Sequence, residues 1–253
     1  MKPIIVLKVG TSTLTNGTDS ISRGKIEDIS RQILELQEDY SVILVSSGAV
    51  AAARQFDKLN DPSKLVKNKP PLSAIGQPKL MQIYMEVFAD FGLNASQCLL
   101  THYDLQGTES RENTKKTLID LLNHDYIPII NENDTVAVEE IILGDNDKLS
   151  AMVAVLMDAN KLVIASDIDG IFDSNPNLNK DAKLIEEVHN INEVKKFVED
   201  VDNGLGTGGM ASKIHALEIC EGSGIEVYIV NGGIEFFLHK ALHDEIPYTK
   251  FVG

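Results

Sequence analysis

Ile4-Ile5-Val6-Leu7-Lys8-Val9-Gly10-Thr11-Ser12 is the stretch from which the rest of the chain is read. Its first four residues are continuously apolar, the pattern of a strand covered on both faces, and a glycine-hydroxyl turn closes it. The same kind of run returns at Val42–Val45, Ile127–Ile130, Leu162–Ala165 and Val227–Val230. Between these runs Ile26, Ile29, Ile33 and Leu36 recur at helical period, as do Leu80, Ile83, Tyr84 and Val87, and then Leu118, Leu121 and Leu122. The stretch Ser150 to Met157 is apolar almost all round, as expected of a helix buried against a sheet. Strand then helix, repeated, predicts an α/β sandwich with a central parallel sheet and helices on both faces. Such sheets bind ligands beyond the carboxyl ends of their strands, so the strand-to-helix turns are where function is sought.

Lys58 to Pro71 and Asp173 to Asp181, the latter holding Asn175-Pro176-Asn177, read as loops rather than domain linkers. Without a repeat or a low-complexity tract, a single domain of two lobes is expected. The chain has 253 residues, with 23 Lys and Arg against 38 Asp and Glu, a formal net charge of −15. That balance leaves no basic face for a nucleic-acid backbone, so any anionic partner must meet a few locally placed cations. A hydrophobic content of 43% is enough to fill a sizeable core. Cys98 and Cys220 lie far apart with no metal-ligand spacing and read as thiols of a reducing cytosol. The apolar run at the N-terminus is cut by Lys8, too short for a signal-peptide core, and no run reaches the ~18 residues of a membrane span. A soluble, cytoplasmic protein with a small-molecule site is the expectation, with no nucleic-acid or membrane partner.

Lys8 stands inside an otherwise apolar strand, where an unpaired ammonium is costly to bury. It either serves an anion or snorkels out from a sheet edge. The turn after it can aim backbone N–H groups at an anion, although the lysine precedes the glycine and the pattern is neither GxxxxGK[ST] nor GxGxxG. Ser46-Ser47-Gly48-Ala49 is small enough to let a ligand approach the backbone, or to make a tight helix-packing turn. Asn131-Glu132-Asn133-Asp134 follows the Ile127–Ile130 run, and Gly144 is followed by Asp145-Asn146-Asp147-Lys148. Carboxylates and amides in such pairs can hold an ammonium group and a Mg²⁺–phosphate, while Asp145 or Asn146 can also cap the next helix. The DxDxDG spacing of a calcium loop is absent.

Gly204-Leu205-Gly206-Thr207-Gly208-Gly209-Met210-Ala211-Ser212-Lys213 opens a helix that continues through Ile214, Leu217 and Cys220. Its free amides, the Thr207 hydroxyl and a lysine one turn in suit a polyphosphate at a helix N-terminus; a Gly-rich surface turn is the alternative. Ser166-Asp167, before Ile168-Asp169-Gly170, is either a nucleotide contact or an ordinary Asp-Gly turn. The six histidines are scattered, and no nucleophile-base-orienter trio is visible. Phosphoryl transfer rests mainly on positioning and charge neutralisation, so two lysines, Mg²⁺ and glycine amides suffice. A carboxylate acceptor, with a pKa of about 4.3, is already ionised at neutral pH and requires no base.

Taken together in chain order, Lys8–Ser12, Ser46–Ala49, Asn131–Asp134, Gly144–Asp147 and Gly204–Lys213 resemble the glutamate 5-kinases of the amino-acid kinase family. The resemblance implies an αβα sandwich around a largely parallel sheet of about eight strands, a carbamate kinase-like fold. It implies ATP-dependent phosphorylation of the γ-carboxylate of L-glutamate to L-glutamyl 5-phosphate, the first step of proline synthesis. By similarity, Lys8 and Lys213 flank the transferring phosphoryl group and Asp147 orients them while helping with Mg²⁺, which is held mainly through ATP because no direct metal motif is present. Ser47, Asp134 and Asn146 would hold glutamate, assisted by Asp145. Lys8, Gly10, Ser166, Asp167 and the stretch Thr207, Gly208, Gly209, Met210, Ala211, Ser212, Lys213 would hold ATP. The glutamate lobe would span roughly residues 1–160 and the ATP lobe roughly 161–253, with the C-terminal PUA domain of many relatives expected to be missing. Homo-oligomers, dimers or tetramers, and feedback by proline are further expectations of the family. Acetylglutamate kinase, aspartokinase and nucleoside-monophosphate kinase share the fold, and a non-catalytic glutamate or proline sensor is the alternative from another class.

Overall fold

β1 (Ile4–Val9) is buried along its whole length and lies between two parallel neighbours, β2 (Ser41–Ser46) and β5 (Lys161–Ser166). In this computed structural model residues 2–56, 68–136, 146–174, 176, 178–195 and 208–252 are described. The helices and strands around β1 to the end of β2 are α1 (Thr11–Thr15) and α2 (Arg23–Leu36), followed after β2 by α3 (Ala49–Phe56) and α4 (Lys69–Asp90). Next come β3 (Asn94–Leu100), α5 (His102–Gln106), α6 (Thr108–Asn123), β4 (Tyr126–Glu132) and α7 (Asn146–Leu156), leading into β5. The last part holds β6 (Ile171–Phe172), β7 (Leu184–Ile185), β8 (Glu187–Val188), α8 (Gly208–Cys220), β9 (Glu226–Asn231), α9 (Phe237–Leu242) and β10 (Tyr248–Val252).

The described strands form an eight-stranded sheet in the order β3-β4-β2-β1-β5-β9-β10-β8, with β6 and β7 as a separate antiparallel ribbon. All neighbours are parallel except β9 and β10. The largely parallel, eight-stranded α/β sandwich expected of the sequence is what forms. Alternation along β1 sorts its side chains to the two faces. Ile4 and Val6 join Leu149 and Val153 of α7 and Ile214 and Leu217 of α8. Ile5, Leu7 and Val9 join Ile26 and Ile29 of α2 and Tyr84 and Phe88 of α4. Lys8, in phase with Ile4 and Val6, therefore faces α7 and α8. Chain direction leaves β1 toward β2 on one side and returns to β5 on the other, which makes the carboxyl ends of these central strands the natural ligand crevice.

Two sequence expectations need correction. Lys58–Pro71 was expected to be a loop, yet Lys69, Pro70 and Pro71 open α4, because proline is tolerated in a first helical turn where its missing N–H has no partner to lose; residues 57–67 lie outside the described ones. β3 was not foreseen: its sequence, NASQCLL, lacks the apolar run of a doubly covered strand because it is the sheet edge. Where α4 crosses α3, a Cβ on Gly76 would lie 1.8 Å from the Ala49 carbonyl oxygen. That close approach is why the run after β2 is so rich in alanine, and Gly48 at φ +104° supplies the turn before it.

Candidate active site

A cavity of about 330 Å³ opens at the carboxyl ends of the central strands, lined by the turns after β1 and β2, the ends of β4 and β5, and the first turn of α8. Lys8 reaches it from β1 while only 3% exposed, so it does not snorkel from an edge. Its Nζ lies 2.6 Å from Asp147 Oδ1, and Lys213 Nζ, from α8, lies 3.3 Å from Oδ2 of the same carboxylate. Asp147 is placed by the first turn of α7 and its side chain is fully buried. Burial pushes its carboxyl up, but the two ammonium groups more than offset that and hold it below the usual carboxylate range. Lys213 also donates to the Gly209 carbonyl oxygen at 3.2 Å.

These residues come from near both ends of the chain and meet at one point. By formal charge the trio carries one net positive charge in a place nearly without solvent, where a nearby anion gains most from it. The two oxygens of Asp147 face different lysines, Oδ1 toward Lys8 and Oδ2 toward Lys213. Gly10 lines the cavity beside Lys8, where a Cβ would sit 3.5 Å from Lys8 Nζ, an ordinary contact distance.

On the other side of the site, Asn146 Nδ2 donates to Ser47 Oγ at 2.9 Å, Asn131 Oδ1 at 2.9 Å and the Ser46 carbonyl at 3.1 Å. Asn131 Nδ2 in turn donates to Gln77 Oε1 at 2.9 Å. This relay ties the turn after β2 and the end of β4 to α4 and α7, fixing Ser47 and Asn146 at the cavity. Asp134 lies at the cavity with Ser73 Oγ donating to Oδ2 at 2.6 Å and Lys69 Nζ at 2.9 Å from Oδ1.

Ser166, at the end of β5, is buried and donates to Asp167 Oδ1 at 3.1 Å, and both line the cavity. Gly209 lines it as well, while Gly208 begins α8. Met210 is partly buried against the core on that face, and Ala211 follows it, half-buried. Ser212 is buried with its hydroxyl lacking a hydrogen-bond partner among the described residues. Asp145 and Thr207 lie outside the described residues. Asn131, Glu132, Lys69 and Ser73 line the site but were assigned no role from sequence. The first two sat in view inside Asn131–Asp134; the other two come from a helix whose start was read as loop.

Among the described residues no group of three His, Cys, Asp or Glu side chains is placed to hold a metal ion, and no helix is long and apolar enough to cross a membrane. Both thiols are free, and burial raises them, Cys220 to about 12, which keeps them protonated and unreactive.

The amino acid kinase family model matches residues 3–231. The chain is 45% identical over 251 residues to glutamate 5-kinase 2 of Pseudoalteromonas translucida, covering 98% of this chain and 68% of that protein. It is 44% identical over 250 residues to the glutamate 5-kinase of Clostridium acetobutylicum, covering 98% and 94%. Among solved structures, carbamate kinase from Giardia lamblia bound to AMP-PNP superposes with a TM-score of 0.71 at 16% identity, covering 99% of this chain and 98% of that one. UMP kinase from Ureaplasma parvum superposes with a TM-score of 0.65 at 19% identity over all of both chains. At such identities the structures speak for the fold alone. With the sheet order and these relatives in agreement, the chain belongs to the amino acid kinase family, in its glutamate 5-kinase branch.

Proposed function

We propose that the protein transfers the γ-phosphoryl group of ATP to the γ-carboxylate of L-glutamate, giving L-glutamyl 5-phosphate. The observation that carries this reading is the convergence of Lys8 and Lys213 on a buried Asp147 at the ligand crevice. A carboxylate acceptor is ionised at neutral pH, so the protein has no proton to remove, and its task is to hold two anions in line and neutralise the charge between them. Lys8 and Lys213 do this as compact point charges, and Asp147 keeps both aimed at one place.

Ser47, Asn146 and Asp134 hold glutamate, with the Asp134 carboxylate suited to its ammonium group. Gly10, Ser166, Asp167 and the start of α8 hold the nucleotide, the buried Ser212 hydroxyl offering a further donor. On this reading the glutamate-binding side falls within residues 1–160 and the ATP-binding side mainly within 161–253. Mg²⁺ carried on the nucleotide supplies charge neutralisation at the phosphates. Among the described residues the acidic side chains lining the cavity are Glu132, Asp134 and Asp167, and the first two lie toward Lys69. Asp167, exposed at the rim, offers a carboxylate oxygen that suits a contact to that ion.

The test is ADP release with hydroxylamine trapping of the acyl phosphate, across glutamate, acetylglutamate, aspartate and UMP. Trapped product with glutamate alone is the expected result. Turnover of acetylglutamate but not glutamate overturns the proposal, because acetylglutamate has no ammonium for Asp134.

A further inference from the structure

Three lysines line the cavity among the described residues, and the phosphoryl centre uses two of them. The third, Lys69, is the first residue of α4. Its Nζ lies 2.9 Å from Asp134 Oδ1 and 3.9 Å from Glu132 Oε2. The side chains of the two acids are 10% and 6% exposed, whereas that of Lys69 is 45% exposed, so the acids are set in the wall and the lysine is the partner with room to swing.

An α-amino acid that presents its distal carboxylate to Lys8 and Lys213 brings two further charges to this end of the site, an ammonium and an α-carboxylate. Asp134 suits the ammonium, yet Lys69 already lies on it. When the ammonium takes Asp134, Lys69 loses one carboxylate, and the substrate's own α-carboxylate arrives beside it. The added ammonium and carboxylate cancel, so the exchange leaves the net charge at this end of the site unchanged. An exchange that conserves charge avoids stranding an ion in a half-buried site.

The geometry points to Lys69 as a specificity-determining residue, which stands in for the substrate's ammonium on Asp134 in the free protein and pairs with the substrate's α-carboxylate in the complex. This rests on the proposed phosphorylation of glutamate. It makes the free α-carboxylate, not only the ammonium, a requirement of the site.

The test compares glutamate with its α-amide, which keeps the ammonium and the γ-carboxylate but carries no α-carboxylate charge, in wild-type protein, Lys69→Met and Lys69→Arg. For Lys69→Met the glutamate KM is expected to rise about 20-fold, the loss of one charge-assisted contact, with kcat within about twofold. The KM for the α-amide is expected to stay as in wild type, and Lys69→Arg to recover most of the affinity for glutamate. A Lys69→Met protein with wild-type KM for glutamate, or with an equal rise for both compounds, overturns the role of Lys69 while leaving the proposed function in place. No glutamate-dependent ADP release by the wild type overturns both.

Discussion

Asp147, between Lys8 and Lys213, and Glu226, between Lys161 and Lys250, are the same arrangement in opposite surroundings. The first sits at the carboxyl ends of the strands with side chains at most 6% exposed. The second sits where β5 and β9 begin, with Glu226 31% exposed, Lys250 Nζ 2.6 Å away and Lys161 closer still. Hydrogen bonds from Lys161 and Lys250 lower the Glu226 carboxyl to about 2. In solvent such a trio costs little and contributes little, because water competes for every charge. Buried, it costs much more to assemble, and the charge of its side chains acts on a bound anion with little screening by water. The two clusters share their composition and differ in their access to solvent.

The largest expected effect is on the buried trio's chemistry. Lys213→Ala should lower kcat at least 100-fold, roughly 3–4 kcal/mol of transition-state stabilisation, with a modest change in KM; steady-state kinetics with wild-type turnover would erase the contrast. Next comes stability: Asp147→Asn removes the carboxylate shared by two buried ammonium groups and should cost about 3 kcal/mol in urea unfolding, against no change if the trio were as solvated as its counterpart. The Lys69–Asp134 pair, half-exposed, falls between the two. Asp134→Ala should raise the glutamate KM by about 20-fold while sparing kcat, and an unchanged KM would remove Asp134 from the substrate site.

Smallest is Glu226→Gln, about 1 kcal/mol once screening by water discounts the lowered pKa of this part-exposed carboxylate, with wild-type turnover. Its sign with pH follows from a folded-state pKa depressed from 4.5 to about 2. The stability it contributes is fully present above the unfolded value and is lost as pH falls through the folded one. The gap between wild type and Glu226→Gln in unfolding free energy should therefore close between about pH 4.5 and 2, and a gap that widens there would contradict the ion pairing.

The strands covered on both faces were legible because burial on two sides leaves an apolar run that nothing else in the chain imitates. β3 was not, since an edge strand carries Asn94, Ser96 and Gln97 at no cost. β10 runs antiparallel beside β9 at the far side of the sheet, and its mixed YTKFV stretch has no signature of its own. In the site, Lys8, Ser47, Asn146, Asp147 and Ser166 were visible because parallel sheets present ligands to the turns where these residues sit. Lys69 and Ser73 reach the same cavity from α4, which follows another helix rather than a strand, and two prolines hid its start. The amide relay through Asn131 to Gln77 links residues 54 apart in sequence, a contact that only the packing of α4 against the strand ends creates.

The most direct measurement is turnover of Asp147→Asn and Glu226→Gln at saturating glutamate and ATP, each protein first verified as folded. Asp147→Asn should lose at least about 100-fold in kcat, since both lysines lose their shared anchor, while Glu226→Gln matches wild type. Equal rates for the two variants would contradict the claim that Asp147 gathers two lysines around the phosphoryl group.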